Sequence, residues 1–487
     1  MRAYIKNLFL LPTLIVALGM IPVGRVLAQT FTNLHSFTAL SHSTNNDGTE
    51  PYAGLILSSN TLYGTAYYGG SSGRGILFAV NTNGTGFTNL HSFTATIGNA
   101  GYNASGTNSD GANPHSELIM LCNTLYGTAE NGGSSGNGTV FAVNTNGTGF
   151  TNLHSFTAWN INSLGNPTNS DGISPRTELI ISGTTLYGTA QYGGNSASGT
   201  IFKLNTNGMG FATLHSFTAT PQTSWINSDG VGPNGLILSS NILYGTAVLG
   251  GSSGNGTVFA VNTNGTGFMT LHSFTACKTN SVGVYTNSDG VQPKAGLILS
   301  GNTLYGTASS GGSFGFGTVF AVNTNGTGFT NLYNFSSVND GSYPYAGLII
   351  SDNTLYGTAG SVFAVNTDGT GFRVLHGFTG GSDGVDPNDV ILSGNILYGT
   401  ASGGGSSGNG TVFSISLPPP QLTIIYTGTN VILTWPTYAP GITLQSTTNF
   451  VSQAVWSANS PAPSIVNGQN AVTNAISSMQ MFYRLSQ

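Results

Sequence analysis

Seven copies of one pentapeptide, Leu-Tyr-Gly-Thr-Ala, constrain the fold of this chain more than any other feature of its sequence. The copies begin at Leu62, Leu125, Leu186, Leu243, Leu304, Leu355 and Leu397. Successive copies are separated by 63, 61, 57, 61, 51 and 42 residues. Self-similarity at such periods indicates stacked or ringed copies of one supersecondary unit, so the repeat has to be interpreted before any single residue.

One complete repeat, Lys294–Phe335, shows four short apolar runs bounded by turn residues. The runs predict an antiparallel meander with strands over 295–299, 303–308, 317–323 and 328–335. Asn325-Gly326 is a hairpin signal, for which we expect a primed turn. The Gly of each pentapeptide is interpreted as a close backbone approach between neighbouring units. Longer repeats carry insertions between the fourth strand and the next first strand, as in 94–113 and 158–174.

The strand sequences at the two ends of the repeats predict a closed ring. Phe31–Phe37 reads as a fourth strand that precedes every first strand, whereas the last repeat, Val390–Ser416, contains only three strands. The N-terminal strand would complete the last blade and remove exposed sheet edges. We therefore predict an all-β fold with a seven-bladed β-propeller of four-stranded blades over residues 29–417, similar to kelch and quinoprotein propellers. A linear solenoid would need end caps, for which no sequence is evident.

Segments of different composition flank the repeats. Residues 1–28 are typical of a secretory signal peptide, since Arg2 and Lys6 precede an apolar run and a small-residue cleavage site. Export to the cell surface or the medium is expected, and an uncleaved membrane anchor is the alternative. Residues 418–420 form a proline linker. Residues 421–487 predict a small β-sandwich-like module that resembles fibronectin type III or immunoglobulin-like domains.

The composition excludes several classes of partner. Charged residues make up 5% of the chain, against about 25% in ordinary globular proteins. Without residues 1–28, 7 basic residues stand against 15 acidic ones with no basic patch, so nucleic acid and anionic membrane surfaces are not expected partners. Cys122 and Cys277 fall in different repeats and at opposite ends of the strands, so we expect two free thiols.

The recurring segments resemble those of a known family. Leu-Tyr-Gly-Thr-Ala, Gly-Thr-Val-Phe-Ala-Val-Asn-Thr-Asn-Gly-Thr-Gly-Phe-Thr-Asn-Leu-His-Ser-Phe and Asp-Gly-x-x-Pro recur in fixed order from Phe31 to Ser416. In this respect the chain is similar to the Gloeo-Verruco (GloVer, choice-of-anchor) tandem-repeat family of secreted bacterial proteins, whose members carry varied C-terminal anchoring modules. The resemblance implies export and a repeat architecture, and it implies no particular activity.

Two polar positions that recur in the repeats have residue types that can bind metal ions. The aspartates of Asp-Gly-x-x-Pro are Asp47, Asp110, Asp171, Asp229, Asp289, Asp340 and Asp383. Four of them, Asp110, Asp171, Asp229 and Asp289, are calcium candidates by their hard oxygen atoms, although a turn in which Asp bonds nearby backbone is favoured. The strand-four histidines are His35, His91, His154, His215, His272 and His376, with Tyr333 in the remaining repeat. These we interpret as half-buried packing residues, and no other metal or cofactor is expected.

The insertions hold the candidate binding residues. Loops that connect the second strand to the third and the fourth strand to the next first strand should open on one face of the ring, called the loop face below. Trp159, Trp225, Tyr102 and Tyr285 lie in the insertions. Because binding usually resides in loops on a rigid scaffold, these aromatic rings are candidates for stacking on sugars. Packing of the loops on themselves is the alternative.

No catalytic constellation is evident, and the sequence leans away from an enzyme. Gly69–Gly73 fits Gly-x-Ser-x-Gly, but a nucleophile elbow needs a following helix and a strand follows in this chain. Glu117 and Glu178 share a first-strand position at which the other repeats are expected to have Gly. They would matter for chemistry if they lined a central channel with other acids. Ordinary structural carboxylates are the alternative.

The sequence leaves three hypotheses for function. The leading one is a secreted or cell-surface scaffold that binds or adheres, for which polysaccharide is the favoured partner, through the loop face. The second is an extracellular hydrolase or lyase acting on polysaccharide. The third is a purely structural surface protein, since blade packing alone would keep the framework constant. A monomer is expected, with another surface protein as the alternative partner.

Overall fold

The computed structural model describes residues 29–486 except 100, 104–105, 164, 222–223, 282, 338, 419, 437–441, 449–453, 459–460, 467–468 and 477–480. The predicted signal peptide and Pro419 of the linker lie outside the described residues. Within those residues all regular structure is β, as the repeat predicts. A helix of the length and apolarity needed to cross a membrane is absent from the described part of the chain.

The first four sheets follow strand β1 in chain order. Strand β1 spans Thr30–Ser36. Sheet 1 contains β2 (Ile56–Ser58), β3 (Thr61–Ala66), β4 (Ile76–Asn81) and β5 (Thr88–Ser92). Sheet 2 contains β6 (Ala112–Pro114), β7 (Ile119–Leu121), β8 (Thr124–Asn131), β9 (Thr139–Asn144) and β10 (Thr151–Ser155), and its insertion forms β11 (Asn160–Ile161) and β12 (Pro167–Thr168). Sheet 3 contains β13 (Ile180–Ser182), β14 (Thr185–Ala190), β15 (Thr200–Asn205) and β16 (Ala212–Ser216). Sheet 4 contains β17 (Val231–Ser239), β18 (Ile242–Leu249), β19 (Thr257–Asn262) and β20 (Met269–Ser273).

Three further sheets complete the repeats. A second inserted hairpin is formed by β21 (Lys278–Thr279) and β22 (Tyr285–Thr286). Sheet 5 contains β23 (Ile298–Ser300), β24 (Thr303–Ala308), β25 (Thr318–Asn323) and β26 (Thr330–Asn334). Sheet 6 contains β27 (Ile349–Ser351), β28 (Thr354–Thr358), β29 (Ser361–Asn366) and β30 (Arg373–Gly377). Sheet 7 contains β31 (Val385–Ser393), β32 (Ile396–Gly403), β33 (Thr411–Ser416) and the N-terminal β1.

Strand β1 completes the last sheet, as the order of the ends predicted. It lies antiparallel to β33 with Phe31 opposite Ile415 and Ser36 opposite Thr411. Residues from the two ends of the repeat region therefore share one ladder of backbone hydrogen bonds. This pairing leaves neither β1 nor β33 as an unpaired strand at the start or end of the repeats.

The Asn-Gly hairpin forms, but its turn differs from the primed turn predicted. In sheet 5 the Gly326 N–H donates to Asn323 O at 2.8 Å, and the Asn323 N–H donates to Thr327 O at 2.9 Å. Gly326 has a φ of 82°, whereas Asn325 does not have a positive φ. The connection is therefore a longer loop in which only Gly takes the left-handed conformation, and Asn contributes side-chain hydrogen bonds instead.

A buried hydrophobic cluster lies between every two neighbouring sheets. The Leu of the pentapeptide faces the preceding sheet and the Tyr faces the following one, because side chains alternate along a strand. Thus Leu125 of sheet 2 packs with Tyr63 of sheet 1, and Tyr126 packs with Leu186 of sheet 3. The same contact joins sheet 7 to sheet 1 through Tyr398. Seven such clusters link the sheets in chain order and return from the seventh to the first.

The Gly of the pentapeptide makes room for side chains of its own sheet. A Cβ on Gly245 would lie 2.6 Å from Phe259 Cζ and 2.9 Å from Leu236 Cδ2. Phe259 is the direct partner of Gly245 on the neighbouring strand of sheet 4. The interpretation of this Gly as a close backbone approach between neighbouring units is therefore wrong, because the ring that needs the space comes from the same sheet.

The C-terminal segment forms two small sheets. Its strands are β34 (Thr423–Tyr426), β35 (Asn430–Pro436), β36 (Thr443–Thr447), β37 (Ser457–Ala458), β38 (Ser464–Val466), β39 (Gln469–Ala475) and β40 (Phe482–Ser486). The strand orders are β34-β35-β39-β38 and β37-β36-β40. Leu433, Trp435 and Val472 of the first sheet share a buried cluster with Leu444 of the second. A core this small contrasts with the seven larger clusters of the repeats.

Candidate functional site

The segments that carry the candidate functional side chains lie just before or within the first strand of each sheet. We call them the inner segments, and they comprise residues 51–55, 114–118, 175–179, 233–236, 293–297, 344–348 and 387–390. The ladder between the first and second strands is irregular there: it shifts register between Pro233 and Leu236 in sheet 4 and between Pro387 and Val390 in sheet 7. Such bulges redirect side chains and recur next to functional sites.

The Thr of the pentapeptide holds the inner segment of the next sheet. Its buried hydroxyl donates across the sheet boundary to a backbone carbonyl, for example from Thr65 to Ser116 O at 3.3 Å and from Thr246 to Ala295 O at 2.7 Å. Equivalent bonds run from Thr128, Thr189, Thr307 and Thr400. The pentapeptide therefore fixes both the packing of the sheets and the position of their inner segments.

Three carboxylates converge where four inner segments have Gly. The equivalent positions are Gly54, Glu117, Glu178, Gly235, Gly296, Gly347 and Asp389. A Cβ on Gly54 would lie 2.8 Å from Glu117 Oε2 and 2.9 Å from Asp389 Cβ, so sheets 2 and 7 both reach the same point beside sheet 1. The Glu178 carboxylate overlaps the space of a Cβ on Gly235 and lies 2.8 Å from one on Gly296. Glu117, Glu178 and Asp389 are called the axial carboxylates below.

The axial carboxylates were only partly predicted. Glu117 and Glu178 share a position, as their alignment indicated, but the expectation of Gly in all other repeats is wrong for sheet 7. Asp389 was missed because its spacing from the proline is shorter than in most repeats. Only one residue separates Pro387 from Asp389, whereas two residues separate Pro114 from Glu117. Aligning Asn388-Asp389-Val390 with Ser116-Glu117-Leu118 would have revealed the third acid.

The axial carboxylates hold protons more tightly than exposed acids do. Burial, followed by the charges of Asp389 and Glu178, raises the pKa of Glu117 well above its ordinary value. Burial and the charge of Asp389 raise the pKa of Glu178 to about 7. Burial also raises the pKa of Asp389, against the opposing effect of a hydrogen bond from the Gly347 N–H. A proton-donating acid and a proton-accepting carboxylate can therefore coexist in this cluster near neutral pH.

A second layer of polar side chains follows the prolines of the inner segments. Its members are Tyr52, His115, Arg176, Lys294 and Tyr345. Tyr52 stacks on His115 with ring centroids 5.3 Å apart, and Arg176 Nη2 donates to His115 Nε2 at 3.2 Å. Burial and the neighbouring Arg176 lower the pKa of His115 to about 3. The imidazole is therefore neutral at physiological pH and accepts the hydrogen bond from the guanidinium.

Glu130 connects this layer to the loops. It is 5% exposed and accepts hydrogen bonds from the Tyr67 hydroxyl at 2.9 Å and from Asn103 Nδ2 at 3.3 Å. Arg176 Nε lies 3.6 Å from its carboxylate, and Arg176 Nη1 donates to Gln191 Oε1 at 3.0 Å. This role could not be predicted from the repeat pattern, because Glu130 occupies the position directly after the pentapeptide, which is Tyr67 in sheet 1 and Gln191 in sheet 3.

A groove on the loop face contains two of the four predicted aromatic residues. Its volume is about 810 Å³, and Tyr102, Tyr192 and Trp225 contribute rings to its lining. Tyr102 and Tyr192 pair with centroids 4.9 Å apart, while Trp225 is 57% exposed. The other two candidates lie outside it: Trp159 is half-buried, and Tyr285 is 68% exposed on β22. Tyr192 was missed because it lies two residues after the pentapeptide rather than in an insertion.

The repeated aspartates bind the strand-four residues of the preceding sheet. In the case of Asp110, Oδ2 accepts from His91 Nε2 at 3.0 Å and from the Thr94 N–H at 3.0 Å, and Oδ1 accepts from the Thr94 hydroxyl. The other calcium candidates, Asp171, Asp229 and Asp289, have the same three kinds of partner. Both oxygen atoms of each carboxylate are thus engaged by protein groups. No set of three or more His, Cys, Asp or Glu side chains among the described residues is placed to hold a metal ion.

The strand-four histidines pack between sheets. The His91 ring stacks on Phe150 of sheet 2 at 3.8 Å, although His91 itself belongs to sheet 1. Tyr333 stacks on Phe372 of sheet 6 in the same way, and its hydroxyl donates to Asp340 at 2.8 Å. A Tyr can replace His because the position needs a flat ring and a donor to the aspartate. Cys122 and Cys277 are both free thiols, as predicted.

Comparison with known proteins identifies the repeats. The model of the Gloeobacter/Verrucomicrobia repeat family matches residues 26–231, 101–283 and 227–361. No curated protein sequence matches the chain. Similar solved structures include an oligogalacturonate lyase in complex with manganese, at 9% identity and a TM-score of 0.46, covering 80% of this chain and 97% of that one. The computationally designed Ika8 protein is 16% identical at a TM-score of 0.41, covering 82% and 96%, and TolB from Acinetobacter baumannii is 13% identical at 0.31, covering 56% and 51%. Likenesses at this level say nothing about what this chain binds or does.

Proposed function

The chain belongs to the Gloeobacter/Verrucomicrobia repeat family, and from this premise we propose that it is an exported, surface-located repeat protein that binds polysaccharide through its loop face. The proposal rests on the positions at which the seven repeats differ from one another. Their framework is nearly constant, whereas the insertions, the inner segments and the residues after the pentapeptide differ in charge, size and aromaticity. Such a pattern builds one asymmetric surface on a uniform scaffold.

We infer that the seven sheets are the blades of a closed seven-bladed β-propeller. The seven interfacial clusters, the pairing of β1 with β33 and the convergence of the axial carboxylates from sheets 2, 3 and 7 support this architecture. On the same basis the two C-terminal sheets with their shared Leu433–Leu444 core are inferred to form a small sandwich. Export rests on the signal-like residues 1–28, and we propose a monomeric mature chain.

Backbone strain at the edge of the inner segments supports a functional role for this face. The residue before each inner proline has a left-handed φ in all seven repeats. They are Glu50, Asn113, Ser174, Gly232, Gln292, Tyr343 and Asp386, with φ between 54° and 68°. A non-Gly residue in this region costs about 1–3 kcal/mol, and such strain clusters at binding and catalytic sites. Six of the seven residues are not Gly, and they differ from one another in size and charge, so this strained position presents a different side chain in each of those repeats.

Polysaccharide binding is tested with the mature chain, residues 29–487, against arrayed glycans and by affinity electrophoresis in gels that contain soluble polysaccharides. The proposal expects retardation by at least one polymer and none in its absence. Absence of binding to every polymer tested would contradict it and would favour the purely structural role. A variant that lacks residues 421–487 is the matched control, and it should still bind polysaccharide through the loop face.

A hydrolase or lyase acting on polysaccharide is the second candidate, favoured by the axial carboxylates. In a hydrolysis, a protonated carboxyl would give its proton to the glycosidic oxygen as the C–O bond breaks, and an ionised carboxylate would take a proton from the attacking water. Release of new reducing ends by the mature chain, lost in Glu178→Gln and Asp389→Asn but kept in Asp352→Asn, would establish this activity. Binding of polysaccharide without release of new reducing ends would contradict the enzymatic hypothesis and leave binding as the proposed function.

A further inference from the structure

We propose that the groove lined by Tyr102, Tyr192 and Trp225 binds a short stretch of an uncharged polysaccharide, with pyranose rings stacked on these aromatic side chains. The inference rests on the proposed function and makes it specific, because it names one of several possible sites on the loop face and the chemical class of its sugar. Its volume of about 810 Å³ falls within the range of about 300–1,000 Å³ of small-molecule sites.

The shape of the groove suits a flat, amphipathic ligand. The Tyr102 and Tyr192 rings pair at a centroid distance of 4.9 Å with an interplanar angle of 38°, so they present an angled aromatic wall. Tyr102 is 41% exposed and Trp225 is 57% exposed. Aromatic faces carry negative charge density, to which the weakly positive C–H groups on the face of a pyranose are attracted. Large aromatic surfaces left open in a polar loop region mark an interaction site more often than chance exposure.

The polar part of the groove is uncharged. Gln191, Asn166, Ser198 and Thr220 contribute to the lining, together with small and aliphatic residues. Among the described residues that line it there is no Asp, Glu, Lys, Arg or His. Amides and hydroxyls can donate to and accept from sugar hydroxyls, but they cannot neutralise a carboxylate or a sulfate. The groove therefore favours neutral hexose or pentose polymers over uronate or sulfated ones.

The loops that form the groove are held in place by the rest of the loop face. The Tyr102 N–H donates to Asn137 Oδ1 at 3.0 Å, and the neighbouring Asn103 donates to Glu130 at 3.3 Å and to Asn131 Oδ1 at 2.9 Å. On the opposite side Trp225 packs over Gly254, where an added Cβ would lie 3.3 Å from Trp225 Cβ. Pre-ordered aromatic rings lose little freedom on binding, which improves affinity.

The groove also lies next to the polar layer of the inner segments. Gln191 contributes to the lining of the groove and accepts a hydrogen bond from Arg176, which in turn contacts His115. A polysaccharide in the groove would therefore pass within reach of the polar inner layer. This continuity explains why the aromatic residues of sheets 2 to 4, rather than those of the inserted hairpin β21–β22, belong to the proposed site.

The experiment measures binding of the mature chain to neutral polymers (glucan, mannan and xylan) and to charged ones (polygalacturonate and alginate). Titration calorimetry with oligosaccharides follows for each polymer that is bound. Trp225→Ala and Tyr102→Ala are compared with Tyr285→Ala, which removes a more exposed aromatic ring outside the groove. Thermal unfolding of each variant verifies that the fold is retained. We expect both groove variants to weaken binding about tenfold or more and the Tyr285 variant to change it less than about twofold.

The possible results distinguish a failure of the groove as the binding site from a failure of polysaccharide binding as the function. Binding of a neutral polymer that is lost in both groove variants, and that is unchanged when NaCl is raised from about 0.05 to about 0.5 M, would support the inference. Binding that persists in Trp225→Ala and Tyr102→Ala would overturn the groove while leaving the proposed function intact. Binding confined to uronate polymers or abolished by salt would overturn the ligand class. Binding of no polymer at all would contradict the proposed function itself.

Discussion

The carboxylate of Glu178 occupies the space in which a side chain of residue 235 would begin. Residue 235 is Gly in the next sheet, and an added Cβ there would overlap the Glu178 carboxyl group. Glu178 also lies 2.8 Å from the corresponding point on Gly296, two sheets away. At this position of the repeat, the acidic side chains of some sheets therefore fill the space left by Gly in others. The glycines of the inner segments are needed because a side chain there would collide with these acids.

Gly235→Ala tests this complementarity. The added methyl must displace the Glu178 carboxylate, and overpacking of this kind costs about 1–3 kcal/mol. We expect a lower thermal unfolding temperature than that of the wild type. Gly377→Ala is the matched control, since no atom lies within 4 Å of its added Cβ and its φ is not positive. Equal unfolding temperatures for the two variants would show that Glu178 does not fill the space beside Gly235.

The pH dependence of stability should report the raised pKa of Glu178. Its pKa rises from an ordinary 4.5 to about 7, so the folded state binds the proton more tightly than the unfolded state does. This carboxyl therefore lowers stability as pH increases from about 4.5 through about 7. Glu178→Gln removes that loss. We expect the free energy of unfolding of the variant to exceed that of the wild type by on the order of 2 kcal/mol at pH 8 and to equal it near pH 4.5.

Urea unfolding at the two pH values measures this difference. Asp389 and Glu117 titrate in the same cluster, so the measured change belongs to the group of three rather than to one residue. A Glu178→Gln variant that is no more stable than the wild type at pH 8 would contradict the placement of Glu178 in a proton-retaining cluster.

The repeated aspartates predict the opposite dependence on pH. Burial raises the pKa of Asp110, but hydrogen bonds from His91 and Thr94 outweigh it, so the pKa lies below its ordinary value. The stability that this carboxylate contributes is present above about pH 4 and is lost as pH falls through its folded pKa. Asp110→Asn should cost about 1.5–3 kcal/mol at pH 7, and this cost should shrink as the pH falls below about 4, as measured by urea unfolding.

Asp352→Asn serves as the control for this substitution. Asp352 is exposed and has a left-handed φ of 51°, a conformation that Asn tolerates. Its replacement should change stability by less than about 0.5 kcal/mol. If Asp110→Asn proves equally harmless at pH 7, the Asp–His–Thr contact would not be the link between successive sheets that the geometry indicates.

Thr246→Val tests the role of the pentapeptide in positioning an inner segment. The Thr246 hydroxyl donates to Ala295 O at 2.7 Å across the boundary between sheets 4 and 5, and both groups are buried. Val keeps the shape but leaves that carbonyl without its donor, at a cost of about 1–3 kcal/mol. Thr303→Val, at the first and less buried position of β24, should cost less than about 1 kcal/mol. Thermal unfolding that ranks the two variants equally would contradict the assignment.

The framework was predictable because the same sequence signals for strands and turns recur in the seven repeats. Leu-Tyr-Gly-Thr-Ala predicted the second strand to the residue in sheet 5, where β24 is Thr303–Ala308. The order of the ends predicted that the N-terminal strand completes the last sheet, and β1 does pair with β33. The first strand of sheet 5 was predicted over 295–299 but spans only Ile298–Ser300, because residues 293–297 form the inner segment that precedes it.

The candidate sites were harder to predict because they exist only between sheets. Glu117 and Asp389 are 272 positions apart in the sequence yet reach the same point beside Gly54. Tyr102 and Tyr192 pair across two repeats, and neither residue alone indicates the groove. Sequence alternation shows which way a side chain points within one strand, whereas these sites depend on how the sheets are arranged around each other.

Hydrogen–deuterium exchange of the mature chain, with and without a neutral polysaccharide, tests most directly that one end of the repeats is the binding surface. Binding should protect backbone amides in the loop-face segments 101–103, 191–198 and 224–232. It should leave the Asn-Gly hairpins at the opposite ends of the strands, such as 323–328, and the C-terminal segment unchanged. Protection confined to those hairpins or to residues 421–486, with exchange of the loop-face segments unaltered, would contradict the account.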